Sequence, residues 1–383
     1  MNILRKLVLF VITIVVFSSF GISVAKADVL FTCSAKSAYL IDYGSDTVIY
    51  SSEENKRLPI ASMTKIMLLD IVFSAVSDGK LSYDETVRIS QNASKTGGSQ
   101  VFLQADKDYK VEDLIKSVVI ASANDASVAL AEKISGSEDS FVALMNDKAR
   151  EYGLKNTLFS NCTGLPKPTQ YSSAKDVAKM FSELIRHDDY FKYSGIWLDE
   201  LVHPDNSKTT LTNTNKLCKF YKGCDGGKTG FTDESRFCLA ATAKREEARL
   251  VCVVIGEADS KTRFKDVSEM FNKAFSSFKS TTVVFSDKPC EEQAIIYGTI
   301  KEKFNCFPKK DLSVFSKKNV TPDYTVKNVI YKNLKAPLKM GSAVGETILF
   351  VEGVEKSRTE LILQEDVYDM NYFNAFGKIA KNW

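Results

Sequence analysis

Residues 59–67 read PIASMTKIM and place a serine, Ser62, three positions before a lysine, Lys65. Three positions correspond to about one helical turn, so both side chains lie on the same face of a helix. The apolar run continues to Val76, which indicates a buried helix. A lysine removed from water at such a helix loses affinity for its proton and can act as a base. A serine cap beside a solvent-reaching lysine has the same pattern, so these residues alone leave the chemistry open.

Length, composition and charge limit the kind of protein. A chain of 383 residues is long enough for two domains, and 44% hydrophobic with 26% charged residues is ordinary for globular proteins. Residues 1–27 hold three basic and no acidic residues, so removing them takes the basic count from 51 to 48, equal to the 48 acidic residues. No basic field remains that would indicate nucleic-acid binding.

The N-terminus has the pattern of a secretory signal peptide. Arg5 and Lys6 precede an apolar run over residues 7–24, and AKA at residues 25–27 is a small-x-small cleavage site. We therefore predict that residues 1–27 are removed on export. An uncleaved membrane anchor is the alternative, because the apolar run approaches spanning length. No other stretch is long and apolar enough to cross a bilayer.

The eight cysteines and two histidines give no sign of a metal site. Cysteine spacing is irregular, and no C-x-x-C or Cys/His grouping has metal-ligand spacing. Cys218 and Cys224 flank a segment short enough to suggest a disulfide, with two free thiols as the alternative. His187 and His203 lie in ordinary surroundings, so we do not expect a Ser-His-Asp triad.

The order of the predicted elements indicates an α+β fold. A hairpin is predicted over residues 38–50, and three strands over 227–232, 236–244 and 250–256. Because strands occur at both ends of this region, we predict one antiparallel, five-stranded sheet covered by helices. Amphipathic or apolar patterns predict these helices at residues 62–76, 111–119, 125–134, 137–152, 173–184 and 262–278.

A boundary is predicted near residue 280. Residues 282–366 are short β-branched runs interrupted by four prolines and several glycines, a pattern typical of an all-β domain. The predicted organisation is an α+β domain at residues 28–280 and a smaller β-rich domain at residues 281–366.

Two further motifs carry polar side chains that chemistry could use. SAN at residues 122–124 breaks a helical pattern, and such a loop can present Ser122 and Asn124 to a cleft. DGGKTG at residues 225–230 opens a strand, where glycine allows close approach of a ligand to the backbone. Taken singly, the first motif is more typical of a helix cap and the second of a tight turn.

The order S-x-x-K, S-x-N, K-T-G matches the signature of penicillin-binding proteins and serine β-lactamases. A second K-T-G occurs at residues 95–97, but it precedes Ser122 and lies in a polar stretch with no strand after it. We therefore reject residues 95–97 as the third motif.

With the three motifs in order, the chain resembles the exported D-alanyl-D-alanine carboxypeptidases, which are low-molecular-mass penicillin-binding proteins. The resemblance covers nearly the whole chain, although Ala123 stands where that family usually has glycine, and Cys162 is unusual in NCTGLP. The segments that carry the resemblance are residues 59–65, 97–99, 122–126, 161–166, 213–217, 225–232 and 336–345.

The resemblance implies a transpeptidase-like domain and a reaction through an acyl-enzyme. Ser62 would attack the carbonyl of the penultimate D-alanine, and unprotonated Lys65 would take its proton. Ser122 would pass a proton to the leaving amine, while Asn124 would orient substrate and lysine. The substrate would be the pentapeptide of peptidoglycan, and β-lactams would inhibit the enzyme by acylating Ser62.

The resemblance also implies the substrate-binding residues. Lys228 and Thr229 of the K-T-G triplet, which ends at Gly230, would bind the terminal carboxylate. The backbone N–H groups of Ser62 and Phe231 would form the oxyanion hole. Neither a metal nor an organic cofactor is implied. Arg263 is a weaker candidate for carboxylate recognition, because it could equally cap the last helix.

Two other functions remain as alternatives. A class A β-lactamase needs a glutamate in E-x-x-L-N, and Glu151 with Asn156 is one residue out of that register. A non-catalytic wall-binding or β-lactam-sensing module is the second, but it would not need Lys65, Ser122, Asn124 and Lys228 together. Measuring D-alanine release from a pentapeptide separates these functions.

The last 17 residues, 367–383, have the pattern of an amphipathic helix. Aromatic and aliphatic residues recur at helical spacing, and Lys378 and Lys381 lie on the other side. Such a helix suits the surface of an anionic membrane but is too short and polar to span one. We predict peripheral attachment to the outer face of the cytoplasmic membrane, with a tail packed on the β-rich domain as the alternative.

Overall fold

A computed structural model describes residues 31–370 of the chain. The predicted signal peptide at residues 1–27, and residues 371–383 of the predicted C-terminal helix, lie outside this range. Among the residues that the structure describes, none of the helices has the length and apolar content needed to cross a bilayer.

Eighteen strands occur in residues 31–370, and we number them in chain order. They are β1 Ser37–Asp42, β2 Thr47–Ser52, β3 Thr86–Arg88, β4 Asp108–Lys110, β5 Leu198–Val202, β6 Lys208–Thr212, β7 Cys224–Thr232, β8 Arg236–Arg245, β9 Ala248–Glu257, β10 Phe278–Val284, β11 Gln293–Tyr297, β12 Lys303–Asn305, β13 Phe307–Pro308, β14 Leu312–Lys317, β15 Tyr324–Ile330, β16 Leu334–Lys335, β17 Ala343–Val351 and β18 Val354–Ile362.

The helices of the same range are numbered in the same way. They are α1 Lys65–Ser77, α2 Gln91–Ser94, α3 Val111–Ala121, α4 Asn124–Ser135, α5 Glu138–Glu151, α6 Ala174–Leu184, α7 Asp188–Ser194, α8 Leu217–Phe220 and α9 Ser260–Ser277, with a 3-10 turn at Ala61–Thr64.

The main sheet has five antiparallel strands in the order β2-β1-β9-β8-β7. Its centre joins the two ends of the predicted α+β region, because Ser37 of β1 pairs with Ile255 of β9. Within residues 31–370, strand β7 forms one edge of the sheet and pairs only with β8, from Cys224↔Ala243 to Thr232↔Arg236. The predicted five-stranded antiparallel sheet with edges from distant parts of the chain is therefore confirmed.

Helices cover both faces of this sheet. Val251, Val253 and Ile255 of β9 join the large core that includes α1, α3, α4 and α6. The alternate residue Cys252 faces α9 instead, with its Sγ 4.0 Å from the Sδ of Met270. Side chains alternate across a strand, so nearly every β9 residue is buried, as expected for a strand between two helical layers.

Most predicted helices occur close to their predicted bounds, and two details differ. The helix after Ser62 begins as a 3-10 turn and becomes α-helical at Lys65. The spacing of Phe141, Leu144 and Met145 in α5 favours one buried face, but Leu144 is exposed, because it lies at the margin of that apolar stripe.

The region after α9 is all-β, as predicted. It contains small sheets in the orders β10-β14, β12-β11-β16 and β13-β18-β17-β15, and one apolar core lies among Ala294, Ile296, Val344 and Leu361. Strand β10 follows α9 directly, and residues 33–370 belong to one compact unit. The domain boundary near residue 280 stays a prediction.

The cysteines and the end of the described chain differ from two predictions. All eight cysteines are free thiols, contrary to the suggested disulfide between Cys218 and Cys224. Asn215 Nδ2 donates to both sulfur atoms, at 3.3 and 3.7 Å. The helix predicted from residue 367 does not begin there, because Val367 forms a β-bridge with Leu338.

Candidate active site

Ser62 lies in the 3-10 turn that leads into α1, between two glycines. Its neighbours Ala61 and Met63 are buried, whereas Ser62 is partly exposed. A Cβ added to Gly164 would collide with the backbone of Ala61, and one added to Gly230 would lie 3.3 Å from Ser62 N. Both glycines therefore let neighbouring backbone approach the serine closely.

Lys65 is fully buried and surrounded by oxygen atoms. Its Nζ donates to Asn124 Oδ1 at 2.7 Å and to the Thr163 carbonyl oxygen at 2.6 Å, and lies 3.0 Å from Ser62 Oγ. Burial lowers the pKa of Lys65 to about 7. A neutral amine has two N–H bonds and one lone pair, so two acceptors leave the lone pair for the Ser62 hydroxyl. This geometry suits a general base.

The second motif enters the same cleft from the junction of α3 and α4. Ser122 has a left-handed backbone, with φ of 62°, and is 3% exposed. Such a conformation is strained for serine and turns its side chain away from the helix path. Asn124 Nδ2 donates to the Gly97 carbonyl oxygen at 2.6 Å, which leaves Oδ1 free to accept from Lys65.

The third motif occupies the free edge of the main sheet. Lys228 of β7 is 2% exposed, and its Nζ donates to Ser122 Oγ at 2.6 Å and to the Thr229 carbonyl oxygen at 3.1 Å. Burial, and then the charges of Lys65 and Arg263, hold the pKa of Lys228 well below its ordinary value. An anionic ligand beside Lys228 would favour its protonated form, so the pair with Ser122 suits carboxylate binding.

The remaining residues of the third motif lie beside the serine. Thr229 is nearly buried, and Phe231 is half exposed and packs on Phe237, with ring centroids 4.4 Å apart. The Gly230 backbone lies next to Ser62, so the adjoining Phe231 N–H and the Ser62 N–H belong to neighbouring backbone segments. Two such donors could stabilise a developing oxyanion.

The loop at residues 161–166, to which sequence reasoning assigned no role, supplies the second acceptor for Lys65. Asn161 Oδ1 accepts from Gly164 N at 2.7 Å and from Thr163 N at 3.2 Å, which fixes the Thr163 carbonyl group. Cys162 N donates to Glu138 at 3.1 Å. NCTGLP carried the family resemblance but no role, because a main-chain carbonyl group has no side-chain signal in sequence.

Asp125 is a second residue whose contribution the motifs did not reveal. Its buried carboxylate accepts from the backbone N–H groups of Val101, Leu103 and Ala126, at 2.9 to 3.3 Å. Burial raises the pKa of Asp125, and these hydrogen bonds oppose that rise. The carboxylate thereby joins the loop after Gly97 to the helix that begins at Asn124.

Arg263 lies behind the third motif, on α9. Its guanidinium donates to the carbonyl oxygens of Gly230, at 3.3 Å, and Cys238, at 3.1 Å, and to Ser260 Oγ at 3.3 Å. Burial lowers its pKa to about 10. These contacts place Arg263 as a support of strands β7 and β8.

The rejected sequence candidates lie outside this cluster. Lys95 is exposed at the end of α2, and Glu151 is exposed at the end of α5, where it pairs with Lys148. His187 contacts Asp70 and Ser74 through the same Nε2 atom, so these three residues do not form a triad.

One group of possible metal ligands occurs within residues 31–370. Atoms of Cys33, Glu257 and Asp266 lie within 4.8 Å of one another, although their spacing in sequence gave no sign of it. Ser34 Oγ donates to Glu257 at 2.7 Å and contacts Asp266 at 3.1 Å, so both carboxylates already have a hydrogen-bond partner. We assign no metal to it.

The structure thus brings Ser62, Lys65, Ser122, Asn124 and Lys228 into one cleft, with Thr229, Gly230 and Phe231 along its edge. A serine beside a lysine amine of lowered pKa, with a second serine, a second lysine and two backbone donors, is an arrangement for acyl transfer.

Comparison with known families agrees with this chemistry. Residues 23–259 match the family described as D-alanyl-D-alanine carboxypeptidase, and residues 278–369 match the C-terminal domain of penicillin-binding protein 5.

Individual relatives match over most of their length. The D-alanyl-D-alanine carboxypeptidase DacF of Bacillus subtilis is 37% identical over 351 residues, which are 91% of this chain and 90% of the relative. DacC of Escherichia coli is 32% identical and covers 88% of this chain and 86% of its own length. The structure of penicillin-binding protein 5 from Haemophilus influenzae superposes with a TM-score of 0.70 at 28% identity, covering 88% of this chain and 98% of that one.

Proposed function

The chain belongs to the D-alanyl-D-alanine carboxypeptidase family of serine-type hydrolases, and we propose that it removes the terminal D-alanine from peptidoglycan stem peptides through an acyl-enzyme on Ser62. The observation that carries this assignment is the position of Lys65 Nζ, which lies 3.0 Å from Ser62 Oγ and donates to Asn124 Oδ1 and the Thr163 carbonyl oxygen.

In the first step, Ser62 Oγ bonds to the carbonyl carbon of the penultimate D-alanine while Lys65 takes the hydroxyl proton. Its lowered pKa of about 7 leaves a large share of Lys65 unprotonated near neutral pH. The backbone N–H groups of Ser62 and Phe231 stabilise the negative charge that develops on the carbonyl oxygen.

In the second step, the bond between carbon and nitrogen breaks and D-alanine leaves with a proton on its amine. Ser122 gives this proton to the amine and takes up the one that Lys65 removed from Ser62, so Lys65 is neutral again; Ser122 Oγ adjoins Lys228 Nζ at 2.6 Å. Lys228 and Thr229 hold the terminal carboxylate, and Asn124 holds Lys65 in position. Water then hydrolyses the ester, with Lys65 again as the base, and frees Ser62.

β-Lactams would acylate the same serine. The test is to measure D-alanine release from an N-acetylated pentapeptide together with the mass of the protein after penicillin treatment. We expect release, and one penicillin attached to the peptide that contains Ser62. Ser62→Ala should lose both, and labelling of the Ser62→Ala protein would contradict the assignment.

The same protein tests the β-lactamase alternative. Glu151 lies exposed beside Lys148 and supplies no base to Ser62, so we expect the penicillin ester to persist and nitrocefin to turn over slowly. Rapid nitrocefin turnover without D-alanine release would favour a β-lactamase.

We also propose that this enzyme is exported and acts outside the cytoplasm, attached peripherally to the outer face of the cytoplasmic membrane through residues 367–383. The family acts on peptidoglycan, and the sequence of residues 1–27 supports export. If a mature protein that ends at Asp366 remains with membranes as well as the full-length form does, the attachment is wrong. The organisation into domains at residues 28–280 and 281–366 remains part of this proposal.

A further inference from the structure

A groove of about 450 Å³ lies between helices α8 and α9, apart from the active-site cleft. Three lysines line it: Lys216 directly before α8, and Lys261 and Lys265 one turn apart on α9. Its lining, which lies within residues 31–370, contains no acidic residue. The other lining residues are apolar or carry a hydroxyl group, and they are Leu217, Phe220, Phe264, Ser260 and Ser268. Lysines above an apolar floor suit a ligand that combines negative charge with apolar surface.

The positive charge of this groove is only partly neutralised. Lys216 and Lys261 are exposed, and neither has an ion-pair partner within residues 31–370. Lys265 pairs with Glu269 at 3.7 Å, but both side chains are exposed, so this pair is weak. The nearby carboxylate of Asp259 caps α9, where it accepts from two backbone N–H groups at 2.8 Å. The groove therefore keeps free cations for an anionic ligand.

Both walls of the groove are joined to strand β7, which carries the third motif. Asn215, next to Lys216, donates through Nδ2 to the Gly226 carbonyl oxygen at 3.3 Å. Arg263, in the first turns of α9, donates to the Gly230 carbonyl oxygen at 3.3 Å. Because α1 and α9 cover opposite faces of the main sheet, the cleft and the groove lie on opposite sides of the edge strand. A long substrate that passes around this edge can contact both.

We propose that the groove binds a second, carboxylate-bearing segment of the peptidoglycan polymer while one stem peptide occupies the cleft. A stem peptide carries a terminal carboxylate, which the three lysines would bind. Phe220 is 70% exposed and offers an aromatic surface to a sugar ring or an apolar side chain. Two sites on one polymer raise the effective concentration of stem peptide at Ser62. This inference rests on the proposed function, because it takes polymeric peptidoglycan as the substrate.

A flat anionic membrane fits the groove less well than a polymer does. The groove is concave and adjoins the free edge of β7, along which the substrate lies in the proposed function. A bilayer held by the three lysines would cover this edge and exclude the substrate. A polymer strand leaves the edge accessible.

The experiment compares a soluble N-acetylated pentapeptide with purified peptidoglycan that retains its pentapeptides. In the variant Lys216→Gln/Lys261→Gln/Lys265→Gln, each lost charge should contribute up to about 5-fold. We therefore expect KM for the polymer to rise about 10-fold with kcat unchanged, because the groove does not touch the reacting atoms. For the pentapeptide, kcat/KM should stay within about 2-fold of wild type.

A matched variant controls for the change in net charge. Lys317, Lys318 and Lys327 are exposed lysines of the β-rich region outside the groove. Replacing all three by glutamine should leave KM for both substrates unchanged. If the groove variant keeps the wild-type KM for the polymer, or if its kcat/KM falls equally on both substrates, the inference is overturned.

Two further measurements separate charge from contact area. Phe220→Ala should raise KM for the polymer about 5-fold, and again leave the pentapeptide unaffected. Raising salt from about 0.05 M to about 0.5 M should raise KM for the polymer more in the wild-type enzyme than in the lysine variant, because salt screens exposed charges. Equal salt dependence in both proteins would contradict binding through these lysines.

Vesicles of equal parts phosphatidylglycerol and phosphatidylcholine test the membrane as occupant. We expect wild type and the lysine variant to bind these vesicles equally. Lysine-dependent vesicle binding, with polymer turnover unchanged, would overturn the inference. The rate of penicillin acylation of Ser62 monitors folding of each variant. A wild-type protein that is acylated but releases no D-alanine from either substrate would contradict the proposed function instead.

Discussion

Two K-T-G triplets in this chain have different surroundings. At residues 228–230 the triplet lies on the edge strand β7, its lysine is buried against Ser122, and its glycine touches the nucleophile turn. At residues 95–97 it follows the short helix α2. The lysine there is exposed, and Thr96 bonds back to Asn92 at 3.0 Å.

The difference shows that the K-T-G sequence alone does not form a substrate-binding site. The triplet must also lie on an edge strand, with its lysine beside a partner such as Ser122. Strand β7 has a free edge that a substrate backbone can approach. The Thr96 hydroxyl, by contrast, already donates to the Asn92 carbonyl oxygen of α2. The triplet at residues 95–97 still contributes to the active site through its backbone, because the Gly97 carbonyl oxygen accepts a hydrogen bond from Asn124. The side chains of residues 95–97 can therefore be substituted without loss of activity, whereas those of residues 228–230 cannot.

The largest contrast is expected between the two lysines. Lys228→Ala removes a buried charged partner of the substrate carboxylate, which costs about 2–5 kcal/mol, or roughly 30-fold to several thousand-fold in kcat/KM for D-alanine release. Lys95→Ala removes an exposed side chain and should leave kcat/KM within about 2-fold. Comparable losses in both variants would contradict the assignment of the third motif.

The glycines of the two triplets should differ next. A Cβ at Gly230 would lie 2.6 Å from the Ile60 carbonyl oxygen and displace the Ser62 turn. At Gly97, a Cβ would meet no other heavy atom of the described part of the chain within 4 Å, its chain neighbours aside. Gly230→Ala should slow penicillin acylation by about 100-fold, the cost of misplacing a reacting group. Gly97→Ala is the control and should acylate at the wild-type rate. Stopped-flow measurement of both rates makes the comparison.

The pH dependence of the acylation rate tests whether burial lowers the pKa of Lys65. Lys65 must be neutral to accept the Ser62 proton, and its pKa is lowered to about 7. The acylation rate should therefore rise with pH up to about 7 and level off above it. Below pH 7 it should fall about 10-fold per pH unit, since the neutral fraction does so. A rate that is constant between pH 5 and 8 would show that Lys65 is not the base.

A smaller effect on acylation is expected from changing Asp125, whose carboxylate holds the loop after residues 95–97. Asp125→Asn replaces an acceptor oxygen by a donor facing backbone N–H groups, which should cost about 1–3 kcal/mol of folding stability. Acylation should slow only several-fold, because Asp125 does not touch the substrate. Urea unfolding measures the loss, with exposed Asp287→Asn as the control. An unchanged unfolding midpoint in Asp125→Asn would contradict the anchoring role.

Sequence reasoning identified the side chains of this site and most of the fold. Motif order distinguished Lys228 from Lys95, because a strand follows only the former. Alternation and helical periodicity located the sheet and the helices, since both depend on local spacing. The resemblance to carboxypeptidases then supplied the chemical roles.

What sequence reasoning missed depends on contacts between distant residues. The Thr163 carbonyl oxygen is a main-chain group, and its distance to Lys65 is set by the fold. Asp125 resembled an ordinary residue in the first turn of a helix, although its partners Val101 and Leu103 precede it by about twenty residues. The free thiols Cys218 and Cys224 show that close spacing alone does not establish a disulfide.

The pairing of β1 with β9 also determines when the active site can appear during folding. Ser62, Lys65 and Ser122 are synthesised early, but β7 joins the sheet through β8 and β9, which pair with β1 at Ser37↔Ile255. Contacts this distant in sequence form slowly, because a long loop must close first. A chain emerging N-terminus first would therefore be inactive until residue 257 is free to pair. The topology delays hydrolysis until synthesis of the catalytic region is complete.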